Sequence, residues 1–320
     1  MISVIIVNWN GVELLGDCLT SVQRQDCDRY EIILVDNGSS DGSAAFVRER
    51  FPQAVVVALE HNSGFAGGNI EGLQRATGDY ILLLNNDARL ADGFLSAMLQ
   101  AMDSDHDLGM CASKIIVDGT DSIDSVGDLF TTAFSGTKVG LDQPEQFFCE
   151  RRFLHGACAA AAVYRRSMLD EIGFLDRDFF LNHEDTDLNL RAWLAGWKCL
   201  FVPQAVAYHK VSRSIGNLSD TSVYYFSRNV EWVWIKNVPL WLMLRFLPQR
   251  ILYGFTSFVY YCILKGRWRA YIKGKVDALA GLPAMLKKRR AVQRLVRLSP
   301  AVVSKELLPL CRYLKSRVDR

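Results

Sequence analysis

The sequence predicts an α/β fold with a mostly parallel central sheet flanked by helices. Three features lead to it: short apolar runs rich in β-branched residues, stretches of helical spacing that follow them, and polar glycine-containing turns between the two. The first run, residues 2–7, reads as a buried parallel strand. Asn8, Trp9, Asn10 and Gly11 make the turn after it, and Leu14, Leu15, Leu19 and Val22 then recur at helical spacing. Residues 32–35 give a second strand and 54–59 a third, with a helix starting around Ala44, Ala45 and Val47 between them. Residues 80–84 give the fourth.

Half of the 320 residues are hydrophobic, enough for a sizeable core in one large domain or two smaller ones. A formal net charge of +2 argues against a general nucleic-acid binder. The eight cysteines form no Cys-x-x-Cys pair, and the chain opens on a strand pattern without a basic leader before an apolar run. Both fit a reducing, cytoplasmic location.

Two of the strands end in acids. Asp36 follows 32–35, and Asp87 follows 81–84 through Asn85 and Asn86. Ligands of open α/β sheets bind beyond the C-terminal strand ends, so both aspartates point at the expected cleft; capping of a turn is the other reading. Between them lies the run from Asn62 to Asn69, with Gly64, Gly67 and Gly68. Its glycines suit close approach of backbone to a ligand, and a helix beginning near Asn69 could aim N–H groups at phosphate. The run is neither a Walker loop nor a dinucleotide fingerprint.

In the second half, Glu184, Asp185 and Asp187 crowd the start of a helix beside His183. A helix N-terminus favours acids, which accounts for Asp187. Three carboxylates beside a histidine and aromatic residues also suit a general base, since clustered acids raise one another's pKa. Residues 198–202 give a further strand, and 205–208 lead to His209, a candidate metal ligand; with Asp87 it would supply the mixed oxygen and nitrogen ligation that Mn²⁺ or Mg²⁺ accepts together with phosphate oxygens. A hydrogen-bonded structural histidine is the plainer alternative.

After Asn229 the composition turns apolar and then basic. Residues 251–264 carry no charge, too short a run to span a bilayer, and eleven basic residues between Lys265 and Arg297 face one acid, Asp277. An interfacial helix beside anionic lipid fits; a helical subdomain or a homodimer interface is the alternative.

From Ile2 to about Asn229 the ordered series of motifs resembles the inverting family 2 glycosyltransferases of the GT-A fold, most similarly the bacterial rhamnosyltransferases of cell-surface polysaccharide assembly. The resemblance rests on Asn8-Trp9-Asn10-Gly11, on Asp36 through Gly42, on Asn62 through Asn69, on Asn85-Asn86-Asp87, on Glu184-Asp185-Thr186-Asp187, and on His209. It implies a nucleotide-sugar half (1–110) and an acceptor and catalytic half (111–229), followed by a helical membrane-associating or oligomerising region (230–320). Donor-binding residues would be Asn8, Asn10, Asp36, Asn62, Gly67, Asn69, Asn86 and Asp87, with Asp36 on the pyrimidine base. Asp87 and His209 would hold the metal. Asp185 would be the catalytic base and Glu184 its neighbour near the acceptor. Asn85 stands where the family's first motif acid would be, so that contact is neutral.

The expected reaction is metal-dependent inverting transfer of L-rhamnose from dTDP-L-rhamnose to a saccharide or polyprenyl-diphosphate-linked acceptor, on the cytoplasmic face of a membrane. Transfer of galactose, galactofuranose or N-acetylglucosamine from a UDP-sugar is the alternative. A nucleotidyltransferase would want a basic glycine-rich loop after the first strand, which Asn8 to Gly11 does not supply; a non-catalytic nucleotide-sugar-binding module is the remaining rival.

Overall fold

The computed structural model describes residues 1–211 and 218–318. The chain packs as two compact units. The first comprises Met1–Asp128, Lys138–Phe180 and Trp197–Ser214; the second comprises Leu129–Thr137, Leu181–Gly196 and Ile215–Arg320.

The first unit is built on one mixed sheet. Its N-terminal half alternates strand and helix: β1 (Ile2–Asn8), α1 (Val12–Gln23), β2 (Tyr30–Asp36), α2 (Ser43–Arg50), β3 (Val55–Ala58), α3 (Gly64–Leu73) and β4 (Tyr80–Asn85). Then come β5 (Ala88–Leu90), α4 (Phe94–Ser104), β6 (Leu108–Val117) and β7 (Ile123–Ser125). A hairpin of β8 (Asp128–Phe130) and β9 (Gly136–Lys138) precedes β10 (Arg152–Leu154), β11 (Ala161–Arg165), α5 (Arg166–Ile172), α6 (Glu184–Leu194) and β12 (Lys198–His209). Of these, α6 and the body of the hairpin, Leu129–Thr137, belong to the second unit.

The main sheet runs β10-β12-β6-β11-β4-β1-β2-β3, with β5 on β12 and β7 on β6. The expected parallel pairings hold for β1 with β2 and β4, and for β2 with β3. Beyond β4 the sheet turns mixed, because β11 enters antiparallel between β4 and β6. The runs expected at 198–202 and 205–208 form one strand, broken in register between Val202 and Val206. The core lies against this sheet: α1 buries Leu14, Leu15, Cys18, Leu19 and Val22, and α4 buries Leu95, Met98, Leu99 and Met102, each on a single face.

One expectation is corrected. The glycine-rich run is not a loop before a helix starting near Asn69; the helix begins at Gly64 and the run forms its body. A Cβ on Gly68 would lie 2.6 Å from Val7 Cγ1, and one on Gly72 would lie 2.4 Å from Ile5 Cγ2. These glycines let α3 settle onto β1. Close helix–sheet packing drew them, and that requirement produces the same sequence signal as a ligand-hugging loop.

Apart from that hairpin, the second unit is helical. Besides α6 it holds α7 (Asp220–Asn237), α8 (Leu240–Arg245), α9 (Leu247–Phe258), a π-helical turn at Val259–Leu264, α10 (Trp268–Ala280), α11 (Leu282–Leu295), α12 (Pro300–Glu306) and α13 (Leu310–Val318). The uncharged stretch 251–264 is thus divided between α9 and the π-helical turn. Among the described residues, no helix is long and apolar enough to cross a membrane.

Candidate active site

In the first unit, the C-terminal ends of β1, β2 and β4 lie side by side. Asn8 pairs in register with Asp36, and Val7 with Asn85. Asn86 donates from Nδ2 to Asn8 Oδ1 at 2.7 Å. Gly11 packs closely beside them: a Cβ there would sit 2.6 Å from Asn86 Nδ2 and displace that amide. Asn10 accepts from the Ser40 backbone N–H at 2.8 Å, tying the first turn to the loop after β2.

Asp36 is 5% exposed, and its Oδ1 has no hydrogen-bond partner among the described residues. A buried carboxylate oxygen without a donor carries a large desolvation cost unless a ligand supplies one. Asn62 stands next to this end of the sheet through Asn37: its Oδ1 accepts from Asn37 Nδ2 at 3.0 Å and from the Gly64 N–H at 2.8 Å. Gly67 and Asn69 are buried inside α3. Asn69 spends its Nδ2 on the Phe65 carbonyl at 2.9 Å, and a Cβ on Gly67 would meet the side chain of Ser63, the residue just before the helix.

The end of β12 meets the start of β5, with His209 opposite Ala88. That register sets Asp87 beside the histidine: His209 Nε2 lies 3.1 Å from Asp87 Oδ1. Asn85 Nδ2 lies 3.3 Å from the same ring nitrogen. The other nitrogen, Nδ1, is 3.0 Å from Oδ2 of Asp124 on β7. Asp124 was not among the sequence candidates, and it is almost wholly buried with Lys138 Nζ at 2.6 Å. Burial opposes charge on the imidazole, but Asp124 and Asp87 outweigh it and hold His209 up at about 9. Burial likewise opposes charge on Asp124, and His209 and Lys138 bring its carboxyl down to about 2. This pocket of the fold therefore stabilises positive charge between two carboxylates.

The donor set suits a divalent ion. Asp87 offers hard oxygen and His209 an imidazole nitrogen once a bound cation takes the place of its Nε2 proton, while Asp124 fixes the ring from behind, as carboxylates do for ligating histidines. Among the described residues, no three His, Cys, Asp or Glu side chains are grouped to hold a metal by themselves. A cation held by these two groups would keep further coordination positions open.

In the second unit, the acids at the start of α6 have distinct surroundings. His183 caps the helix in the left-handed region (φ 67°), with its ring 4.5 Å from that of Phe226. Asn229 on α7 holds the turn before it, donating to the carbonyls of Leu181 and Asn182 at 2.8 and 2.7 Å. Glu184 is buried, and its Oε2 has no partner among the described residues. Burial first, then Asp185 and Asp187, push its carboxyl well above the usual range. Asp185 is half-buried and accepts from the Thr186 N–H at 2.6 Å. Asp187 is fully buried and serves the fold: Arg191 Nε and Lys236 Nζ reach its Oδ2 at 3.0 and 2.9 Å, and Asn237 donates to Oδ1 at 2.8 Å.

The chain is similar to known proteins along much of its length. It is 27% identical over 198 residues to the uncharacterized glycosyltransferase YwdF of Bacillus subtilis, covering 60% of this chain and 67% of that protein. It is 24% identical over 219 residues to the poly-beta-1,6-N-acetyl-D-glucosamine synthase of Staphylococcus epidermidis, covering 68% of this chain and 52% of the synthase, so it spans about half the length of that relative. Among solved structures it resembles S. aureus TarS 1-349 in complex with UDP (TM-score 0.55, 19% identical, 92% of this chain and 88% of that one). It also resembles GalNAc-T7 with UDP, GalNAc and Mn²⁺ (TM-score 0.58, 20% identical, 72% of this chain and 47% of that one). The fold is GT-A, a mixed α/β sheet flanked by helices with a helical C-terminal region. Residues 3–173, more than half of the chain, match the family described as glycosyl transferase family 2, and the chain belongs to that family.

Proposed function

We propose that this protein transfers a sugar from a pyrimidine nucleoside-diphosphate donor to a saccharide or polyprenyl-diphosphate-linked acceptor, with inversion at the anomeric carbon. The observation that carries the reading is the approach of Asp87 to His209 at the strand ends of a family 2 fold, with Asp124 behind the imidazole. Asp87 and His209 would hold Mn²⁺ or Mg²⁺ against the diphosphate. When bound, the ion offsets the negative charge that develops on the leaving diphosphate. Asp36 accepts the imide N–H of uracil or thymine through its unpartnered Oδ1, and Asn8, Asn10, Asn62 and Asn86 shape the turns around the donor. We assign Gly67 and Asn69 to the helix supporting that site.

Asp185 takes the proton of the acceptor hydroxyl as its oxygen attacks the anomeric carbon. A diphosphate departs without a protonating acid, so one base suffices. Glu184, pushed toward its protonated form, would donate a hydrogen bond to an acceptor oxygen. Residues 1–229 would thus carry the chemistry, and 230–320 the attachment to a membrane on its cytoplasmic face.

For the sugar, the N-acetylglucosamine-transferring relatives favour N-acetylglucosamine from a UDP-sugar over rhamnose from dTDP-rhamnose, the expectation drawn from the sequence. A panel of UDP- and dTDP-sugars, incubated with Mn²⁺ or Mg²⁺ and a lipid-linked acceptor, tests this by release of nucleoside diphosphate. Turnover of a UDP-sugar that Asp185→Asn abolishes is the expected result. Equal turnover by Asp185→Asn with an intact fold rejects Asp185 as the base, and turnover of dTDP-rhamnose alone rejects the donor assignment.

A further inference from the structure

Charge is strongly segregated along the chain. Residues 230–320 hold nineteen Lys and Arg against four Asp and Glu, a net of +15 in a protein whose total is +2. The residues before them therefore carry −13. Two of the four C-terminal acids are already taken: Glu231 pairs with Arg250 and Lys275, and Asp277 with Lys273.

The same region also exposes large apolar side chains in ordered stripes. On α9, Ile251, Phe255 and Phe258 recur at spacings of four and three and are 64%, 63% and 40% exposed. On α10, Trp268, Ile272 and Val276 recur every four residues and are 54%, 42% and 56% exposed. Each helix buries a different face. Tyr253 and Arg250 are the buried positions of α9, and Tyr271, Gly274 and Ala278 those of α10. Gly274 brings α10 against α7, where an added Cβ would lie 2.6 Å from the Tyr224 carbonyl. The exposed stripes are thus the faces left over after the helices have packed, and rows of large exposed apolar side chains mark interaction surfaces.

The cations nearby are arranged as at a lipid–water boundary. Lys265 Nζ lies 5.4 Å from the Tyr260 ring centroid and the Arg269 guanidinium 5.2 Å from that of Trp268. Charged heads resting on exposed aromatic rings keep both groups satisfied at headgroup level. The charge also discriminates between occupants. A second copy docked through this same face would present the same +15 segment, whereas an anionic lipid surface complements it. Spanning is excluded by length: the fourteen uncharged residues 251–264 reach about 21 Å as helix, against about 30 Å of hydrocarbon.

We propose that the exposed faces of α9 and α10 dock onto anionic lipid, with Ile251, Phe255, Phe258, Trp268, Ile272 and Val276 inserted at the interface and Lys265 and Arg269 on the headgroup phosphates. This deepens the reading of a membrane-side acceptor and rests on it for its purpose, while the docking itself needs no catalysis.

Flotation of the full chain with vesicles tests the proposal. Vesicles of phosphatidylcholine with 30%, roughly, of phosphatidylglycerol should carry the protein upward, and pure phosphatidylcholine should carry at least tenfold less. Phe255→Ser combined with Trp268→Ser should cut partition at least tenfold at both low and high salt. Lys265→Glu combined with Arg269→Glu should cut it most at low salt. All four side chains are exposed, and retained UDP binding and an unchanged melting temperature establish that the variants fold. Wild-type partition in either double variant overturns the proposal. So does failure to float with either vesicle, including the case in which sedimentation finds a stable dimer that Phe255→Ser with Trp268→Ser dissociates. UDP binding is scored separately, so loss of it in the wild type would reject the donor-site reading and leave the lipid proposal to the flotation result.

Discussion

Glu184, Asp185 and Asp187 occupy one turn of α6, yet they face three different surroundings. Asp187 is fully buried against Arg191, Lys236 and Asn237. Removing one side of such a pair leaves cations buried without a counter-charge, so Asp187→Ala should cost about 3–5 kcal/mol in urea unfolding. Asp185 is half-buried. Asp185→Asn should leave stability within about 0.5 kcal/mol and lower kcat by about 10²–10⁴-fold, with donor binding retained. Equal stability losses in the two variants would contradict the division between a structural and a chemical acid. In the first unit, Asp124 orients His209 through Nδ1. Asp124→Asn should weaken Mn²⁺ binding about 10–100-fold, read by the free-ion electron paramagnetic resonance signal, before any assay of turnover. An unchanged affinity would make Asp124 a simple partner of Lys138.

At the scale of elements, strand positions were legible because burial on both faces leaves an unbroken apolar run, as in β1, β2 and β4. The helix of the glycine-rich run was misplaced because glycine serves two physical ends, and sequence cannot tell close packing of α3 on β1 from close approach to a ligand. That packing gives its own prediction. Gly72→Ala would press a methyl group onto Ile5 and Val35, which should cost about 1–3 kcal/mol in chemical denaturation without moving strand register. The meeting of Asp87 with His209 was an expectation from chemistry; its cause, the antiparallel register of β5 on β12, has no local signature. Asp124 escaped notice for a related reason. It lies on a three-residue strand eighty-five positions from the histidine it touches, with no motif around it.

For the whole molecule, acids gather in the first 229 residues and cations in the last 91, and the second unit must hold its own cations together. Glu231 does part of that work between Arg250 and Lys275. Burial opposes its charge, but the two cations bring its carboxyl down to about 2, from 4.5 for the free group. A depressed acid contributes stability that is full above the unfolded value and is lost as pH falls toward the folded one. Wild type should therefore exceed Glu231→Gln by about 2–3 kcal/mol at pH 7, and the gap should close between about pH 4.5 and 2. A gap independent of pH would mean that shape, and not charge, holds this corner.

The proposed metal site at Asp87 and His209 would grip a nucleoside diphosphate. Calorimetric titration of UDP into the protein, with Mn²⁺ and then with the ion chelated, addresses it directly. Binding that needs Mn²⁺ and weakens at least tenfold in His209→Ala is the predicted result. Equal UDP affinity in the chelated protein and in His209→Ala would contradict it.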